Sequence, residues 1–213
     1  ALVQSEVNVK EVEILRDDFP ILQREINGDP LVYFDTAATT QTPNSVIDAM
    51  NDYYSNSNAN VHRAVHTLAG EATEGYESCR RELKARFNAE RAIITSGTTE
   101  AINLVAHAWG RANLSDGDAI ILTEMEHHSD IVPWQMLAQE MDIELRYVPV
   151  QKDLTLDMDL FAAAIEGAKL VCVVHISNVL GVCNPVREIV EIAKQNGAKA
   201  VSYTHLTLPT ISD

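Results

Sequence analysis

Five consecutive apolar residues, Leu170, Val171, Cys172, Val173 and Val174, constrain this chain more than any other stretch. A strand with one wet face alternates apolar and polar residues. An unbroken apolar run rich in valine is therefore a strand buried on both faces, as in a parallel sheet covered by helices. From residue 92 onward the chain keeps the matching rhythm. Strand-like segments fall at 92–95, 119–123, 144–150, 170–176 and from 198, with helix-like segments at 98–109, 131–141, 157–165 and 185–194. That alternation predicts an α/β fold, a three-layer α/β/α domain with a mainly parallel sheet.

The N-terminal part is less regular. Residues 7–24 read as an acidic arm or first helix with Val9, Val12, Leu15 and Phe19 as its apolar stripe. Asn27, Gly28, Asp29 and Pro30 form a turn cluster, followed by a short strand at 31–34 and a polar loop at 35–42. Pro43 can open a helix running to about residue 54, which the polar residues 55–58 break. In the long helix that follows, Leu68, Ala72, Tyr76, Cys79, Leu83 and Phe87 step by three or four, which predicts a buried face carrying Cys79 as a small hydrophobe.

Composition narrows the function classes. A formal charge of −15 in 213 residues argues against a nucleic-acid backbone or an anionic membrane as partner. No apolar run approaches the length of a membrane span, and the N-terminus lacks the basic and apolar regions of a signal peptide, so a cytoplasmic location is expected. Three cysteines without zinc spacing suggest reduced thiols.

In a parallel sheet, ligands gather where strands end and helices begin. Three loops fall at that edge: 96–99, 124–130 and 175–178. In the first, Ser96, Gly97, Thr98 and Thr99 lie between an apolar run and an amphipathic segment. The unpaired N–H groups of a helix start make such a turn either a capped helix or an anion seat. In the second, His127 and His128 follow a buried strand, so one imidazole can enter a pocket while the other packs or caps. In the third, the Asn178 amide can bond a phenolic oxygen or cap a turn. A metal reading joins His62 and His66, four apart, with His127, His128 and Asp130, but no glutamate stands beside either histidine of that pair as an HExxH site requires.

Five segments together carry a resemblance: Tyr33-Phe34-Asp35-Thr36-Ala37-Ala38; Asn60-Val61-His62-Arg63 with His66-Thr67; the run from Ser96 to Val105; Met125-Glu126-His127-His128 with Ile131-Val132-Pro133-Trp134-Gln135; and the run from His175 to Gly181. In order and without an evident gap, they resemble cysteine desulfurases of the SufS type, within the class V aminotransferases. The resemblance covers about residues 18–201. It implies a pyridoxal 5'-phosphate enzyme of fold type I that converts L-cysteine to L-alanine and an enzyme persulfide for iron–sulfur cluster assembly. Thr98 and Thr99 would hold the cofactor phosphate, His127 would stack on the pyridine ring and assist proton transfer, and Asn178 would bond the ring hydroxyl. Ala37 would approach the substrate, with His62 and Arg63 near the active site at a dimer interface. The implied partners are a SufE-like or SufU-like sulfur acceptor and a second subunit in a homodimer.

The resemblance divides the chain into an N-terminal arm contributing to a small domain (1–45), an incomplete cofactor-binding large domain (46–201) and a non-matching tail (202–213). The family continues the last strand into an aspartate that pairs with the pyridinium nitrogen, where this chain reads Ser202-Tyr203-Thr204-His205. Its Schiff-base lysine and nucleophilic cysteine belong to a segment that Lys10, Lys84, Lys152, Lys169, Lys194, Lys199, Cys172 and Cys183 do not match. An N-terminal fragment, inactive alone, is the expectation. The other readings are a selenocysteine lyase or another class V enzyme, a noncatalytic protomer that pairs with a complete subunit, and a metal-dependent hydrolase.

Overall fold

In the computed structural model, which describes residues 14–203, the chain divides into two units, Ala1–Ile93 and Ile94–Asp213. The arm up to residue 13 and the tail from Thr204 lie outside the described residues.

In the first unit, β1 (Glu25–Ile26) pairs antiparallel with β2 (Asp29–Pro30). Asn27 and Gly28 between them have φ of 56° and 89°. Positive φ at both central residues is what a tight two-residue hairpin turn requires, and Asn-Gly supplies it. The strand expected at 31–34 does not form. Pro30 offers no N–H to a ladder, and Val32 and Phe34 stand exposed. Pro43 precedes α1 (Asn44–Asp52), whose winding widens at Tyr53–Ser57 before the chain leaves the helix.

The next helix, α2 (Thr67–Arg86), opens with His66, whose Nδ1 accepts the Ala69 N–H at 3.3 Å. Its expected apolar face is not buried: within α2, Ala69 and Ala72 alone are buried and Cys79 is exposed. The period was right and the burial was not. The remaining elements of this unit are short, and among them the 53–57 turn packs on the helix without covering it.

The second unit begins with α3 (Thr98–Leu104), which continues through a wide turn at Val105–Gly110. There follow β3 (Ala119–Thr123), α4 (His128–Met141), β4 (Glu144–Val148), α5 (Met158–Ala164), β5 (Ala168–Val174), α6 (Val186–Gln195) and β6 (Lys199–Tyr203). The four strands form one parallel sheet in the order β4-β3-β5-β6. The central strands account for their composition. All five residues of β3 and all of β5 but Lys169 are buried, whereas the edge strands β4 and β6 each bury only their last residue. Each fully buried Ile, Leu or Val contributes roughly 1.5–3 kcal/mol.

With the right-handed crossovers that parallel strands make as a rule, this strand order puts α4 on one face and α5 and α6 on the other. The α3 helix packs against α4. Residues 92–95, read as a strand, are not one. Ile93 and Ile94 are apolar, but no neighbouring strand pairs with them among the described residues, and they stand exposed. Strand β6 runs on through Ser202 and Tyr203, which pair with Val173 and Val174, so the sequence departure at Ser202 does not end the strand.

Candidate cofactor site

The chain leaves β3 toward β4 on one side and leaves β5 toward β6 on the other. A crevice opens where neighbouring strands diverge in this way, at their carboxyl ends, and α/β sheets bind ligands there. His127 follows β3 and Asn178 follows β5, so the sheet order brings both to this switch point.

His127 is the residue before the first turn of α4. Its Nδ1 accepts the Ser129 N–H at 3.2 Å and lies 2.9 Å from Ser129 Oγ. An acceptor at Nδ1 places the proton of the neutral ring on Nε2. Its own N–H donates to the Tyr203 phenolic oxygen at 3.0 Å, tying the loop to the end of β6. The ring stays exposed, with His128 edge-on at 5.9 Å. Of the two histidines, His127 is the cap of α4, and both rings are exposed beside the end of β3.

After β5 the chain closes a tight turn. Ser177 Oγ accepts the N–H groups of Val179 and Leu180, the Gly181 N–H donates to the Ser177 carbonyl, and Ile176 bridges Cys183. Gly181 takes φ of 69°, which favours glycine. Asn178 stands half-buried at the tip of this closed turn.

Beneath these loops lies a buried polar floor. Glu126 Oε1 accepts from Thr123 Oγ1 at 2.5 Å and from the Val174 N–H at 3.0 Å. Asp130 Oδ1 accepts the Trp134 indole N–H at 2.9 Å. Asn184 donates to the Val174 carbonyl at 2.7 Å and contacts Met125 Sδ at 3.1 Å. Burial raises Glu126, and burial together with the charge of Glu126 pushes Asp130 up to about 8. Burial and the two carboxylates also raise the Tyr203 phenol and the Cys172 thiol. In the sequence Glu126 and Asn184 carried no assigned role and Asp130 only a metal role. A carboxylate just past an all-buried strand was the available signal.

Thr98 and Thr99 open α3, half-buried and exposed respectively. The loop before them already holds an anion, because Glu100 Oε2 accepts both the Ser96 N–H and the Ser96 hydroxyl at 2.6 Å. Those two bonds lower the Glu100 pKa, the hydroxyl contributing most. The N–H and hydroxyl of Ser96 thus meet on one anionic oxygen, the kind of group a phosphate presents.

Ala37, His62 and Arg63 belong to the first unit. Ala37 lies exposed in the turn closed by the Ala38 and Thr39 N–H groups on the Asp35 carbonyl. His62, at φ of 62°, donates its N–H to Thr73 Oγ1, places Nε2 3.0 Å from Glu77 Oε1 and sits edge-on to Tyr76. Arg80 bonds the same Glu77 and the Ala92 carbonyl, which fixes the ionised carboxylate that orients His62. Arg63 is exposed. For the metal reading, His62 and His66 are committed to Glu77 and to the α2 cap. No group of three or more His, Cys, Asp or Glu able to hold a metal ion exists among the described residues.

Residues 32–202 match the family model described as aminotransferase class-V. A probable cysteine desulfurase of Halalkalibacterium halodurans is 50% identical over 196 residues, 90% of this chain and 48% of that protein. A cysteine desulfurase of Salmonella typhimurium is 48% identical over 194 residues, 89% of this chain and 48% of the relative. Among solved structures, the apo cysteine desulfurase of Thermococcus onnurineus NA1 superposes with a TM-score of 0.82 at 40% identity, covering 89% of this chain and 46% of the other. The chain spans about half the length of the curated relatives it matches.

Proposed function

This chain belongs to the class-V aminotransferase family, and on that footing we propose that its switch-point edge is the phosphate and ring cradle of a cysteine desulfurase. The fold is that of pyridoxal 5'-phosphate enzymes of fold type I, and pyridoxal 5'-phosphate is the cofactor of its desulfurase relatives. When bound, the cofactor draws electrons from the α-carbon of an attached amino acid. The protein's part is to hold the ring plane and to place charge around it.

The residues present fit that group. The Ser96 N–H and hydroxyl, just before α3, already receive the Glu100 carboxylate, and the hydroxyls of Thr98 and Thr99, which open that helix, would hold a phosphate beside them. The His127 ring, its edge pinned through Nδ1, offers a flat face for stacking and keeps an Nε2 proton. The Asn178 amide, on its closed turn, donates to the ring hydroxyl oxygen. Ala37, His62 and Arg63 serve the substrate or a second subunit.

The observation that carries this reading is the pinned His127 at the β3–β5 switch point, in a chain about half-identical to desulfurases. The proposed reaction is conversion of L-cysteine to L-alanine, with sulfur passed to a SufE-like or SufU-like protein for iron–sulfur assembly by a cytoplasmic homodimer. The Schiff-base lysine and sulfur-carrying cysteine are proposed to lie outside this chain. Alanine release from L-cysteine by the complete product of the encoding gene tests the reading. Turnover lost on replacing His127 supports it, and no alanine from cysteine overturns it.

A further inference from the structure

Glu126 and Asp130 meet in a place without a counter-ion. Both are buried, Asp130 completely, and no lysine or arginine is among the groups that act on either. Each also keeps one buried oxygen, Glu126 Oε2 and Asp130 Oδ2, outside the well-formed hydrogen bonds, with the Tyr203 phenol, the Cys172 thiol and the other carboxyl as its neighbours. Two ionised carboxylates so placed repel each other with no cation to offset them, which costs far more than holding one proton.

We propose that Glu126 and Asp130 share one proton and act as a positioning pair that locks the β3–α4 loop, which carries His127, to the end of β5. The two environments decide which member is neutral. Glu126 accepts from a hydroxyl and a backbone N–H, two bonds that favour a carboxylate. Asp130 accepts from the indole and from the Cys172 thiol, a weak donor, and so carries the proton toward Glu126.

The lock is physical. The Val174 N–H, at the end of β5, is satisfied by Glu126 across the crevice. Asp130 ties the first turn of α4 to Trp134, which is fully buried. The other titratable groups facing the pair are the Cys172 thiol from β5 and the Tyr203 phenol from β6, both neutral through the physiological range. That His127 is thereby held for a cofactor rests on the function proposed above; the shared proton and the lock do not.

Linkage gives the sign. The folded chain keeps a proton on Asp130 that the unfolded chain releases near its ordinary pKa of about 4. The pair's contribution to stability is therefore greatest at low pH and declines as pH rises toward about 8, then levels. Within that window the unfolding constant rises by up to about tenfold per pH unit.

The test uses the whole chain with no cofactor. Infrared spectra of the folded wild type at pH 6–7 should show an un-ionised carboxyl band. Asp130→Asn and Glu126→Gln, whose amide N–H replaces the shared proton, should each remove the band and flatten the pH slope. Exchange of the Val174 amide should speed by about tenfold or more in Glu126→Ala and return toward wild type in Glu126→Gln, as loss and restoration of one buried hydrogen bond requires. Absence of the band in folded wild type, an unchanged slope in Asp130→Asn, or Val174 exchange indifferent to Glu126→Ala each overturns the proposal. Should a variant not fold, the wild-type band and its disappearance above about pH 8 still decide. Pyridoxal phosphate binding measured separately on wild type judges the function reading, so the two can fail independently.

Discussion

The imidazole of His127 accepts the Ser129 N–H through Nδ1 at 3.2 Å, so the ring proposed to stack on the cofactor also caps α4. The two duties can be separated. His127→Ser keeps a side-chain oxygen able to cap and should hold stability near wild type, whereas His127→Ala should lose about 1 kcal/mol. Both should lose the ring and weaken binding of a pyridoxal compound alike. Urea unfolding and a binding titration on the same preparations check this.

Glu100 occupies the Ser96 donors beside the proposed phosphate seat. Removing its charge in Glu100→Gln should tighten binding of inorganic phosphate or a pyridoxal phosphate by roughly fivefold at low salt, fading as salt rises. Because Ser96 holds this carboxyl below its ordinary pKa, lowering the pH through the ordinary glutamate range should leave wild-type affinity unimproved. Calorimetric titration at two salt concentrations measures the difference.

Arg146 donates to the Ala164 and Glu166 carbonyls at 2.8 and 2.7 Å and pairs with Glu144 at 2.7 Å, tying the C-terminal end of α5 to β4. Arg146→Ala should destabilise by about 1–2 kcal/mol through the lost carbonyl bonds, and Arg146→Lys should recover only part, since an ammonium lacks the planar fork. Denaturant midpoints at constant m-value report it.

Cysteine reactivity follows exposure. Cys79 and Cys183 are exposed and Cys172 is buried, with burial raising its thiol pKa well above the ordinary value. A thiol reagent at pH 8 should label two cysteines quickly and the third only on unfolding. Mass spectrometry of timed samples identifies which. Fast labelling of Cys172 in the folded chain would contradict the sheet assignment.

The parts of the fold legible in sequence are those with a local signature. Residues 170–174 are apolar without alternation because both faces of β5 are covered, and Asp157 announces α5 by accepting the Leu160 N–H. Residues 92–95 carry similar apolar character yet form no strand, since a strand exists only through a neighbour and periodicity cannot supply one. Cys79 failed in the same way: a helical period says which residues share a face, not what covers it.

The candidate site was legible unevenly. Thr98, His127 and Asn178 were proposed through a resemblance joined to the rule that sheet ligands collect at carboxyl edges. The Glu126–Asp130 floor was invisible because it depends on β3 and β5 being neighbours, a fact of tertiary order between segments nearly fifty residues apart in sequence.

The central claim is that this edge holds a phosphorylated pyridine ring through α3 and His127. Calorimetric titration with pyridoxine 5'-phosphate tests it most directly, because this compound has no aldehyde and cannot report an adventitious lysine adduct. The account predicts saturable one-to-one binding that is abolished in the Thr98→Val, Thr99→Val double variant and weakened in His127→Ala. Binding that is absent from the wild type, or that survives those substitutions unchanged, would contradict it.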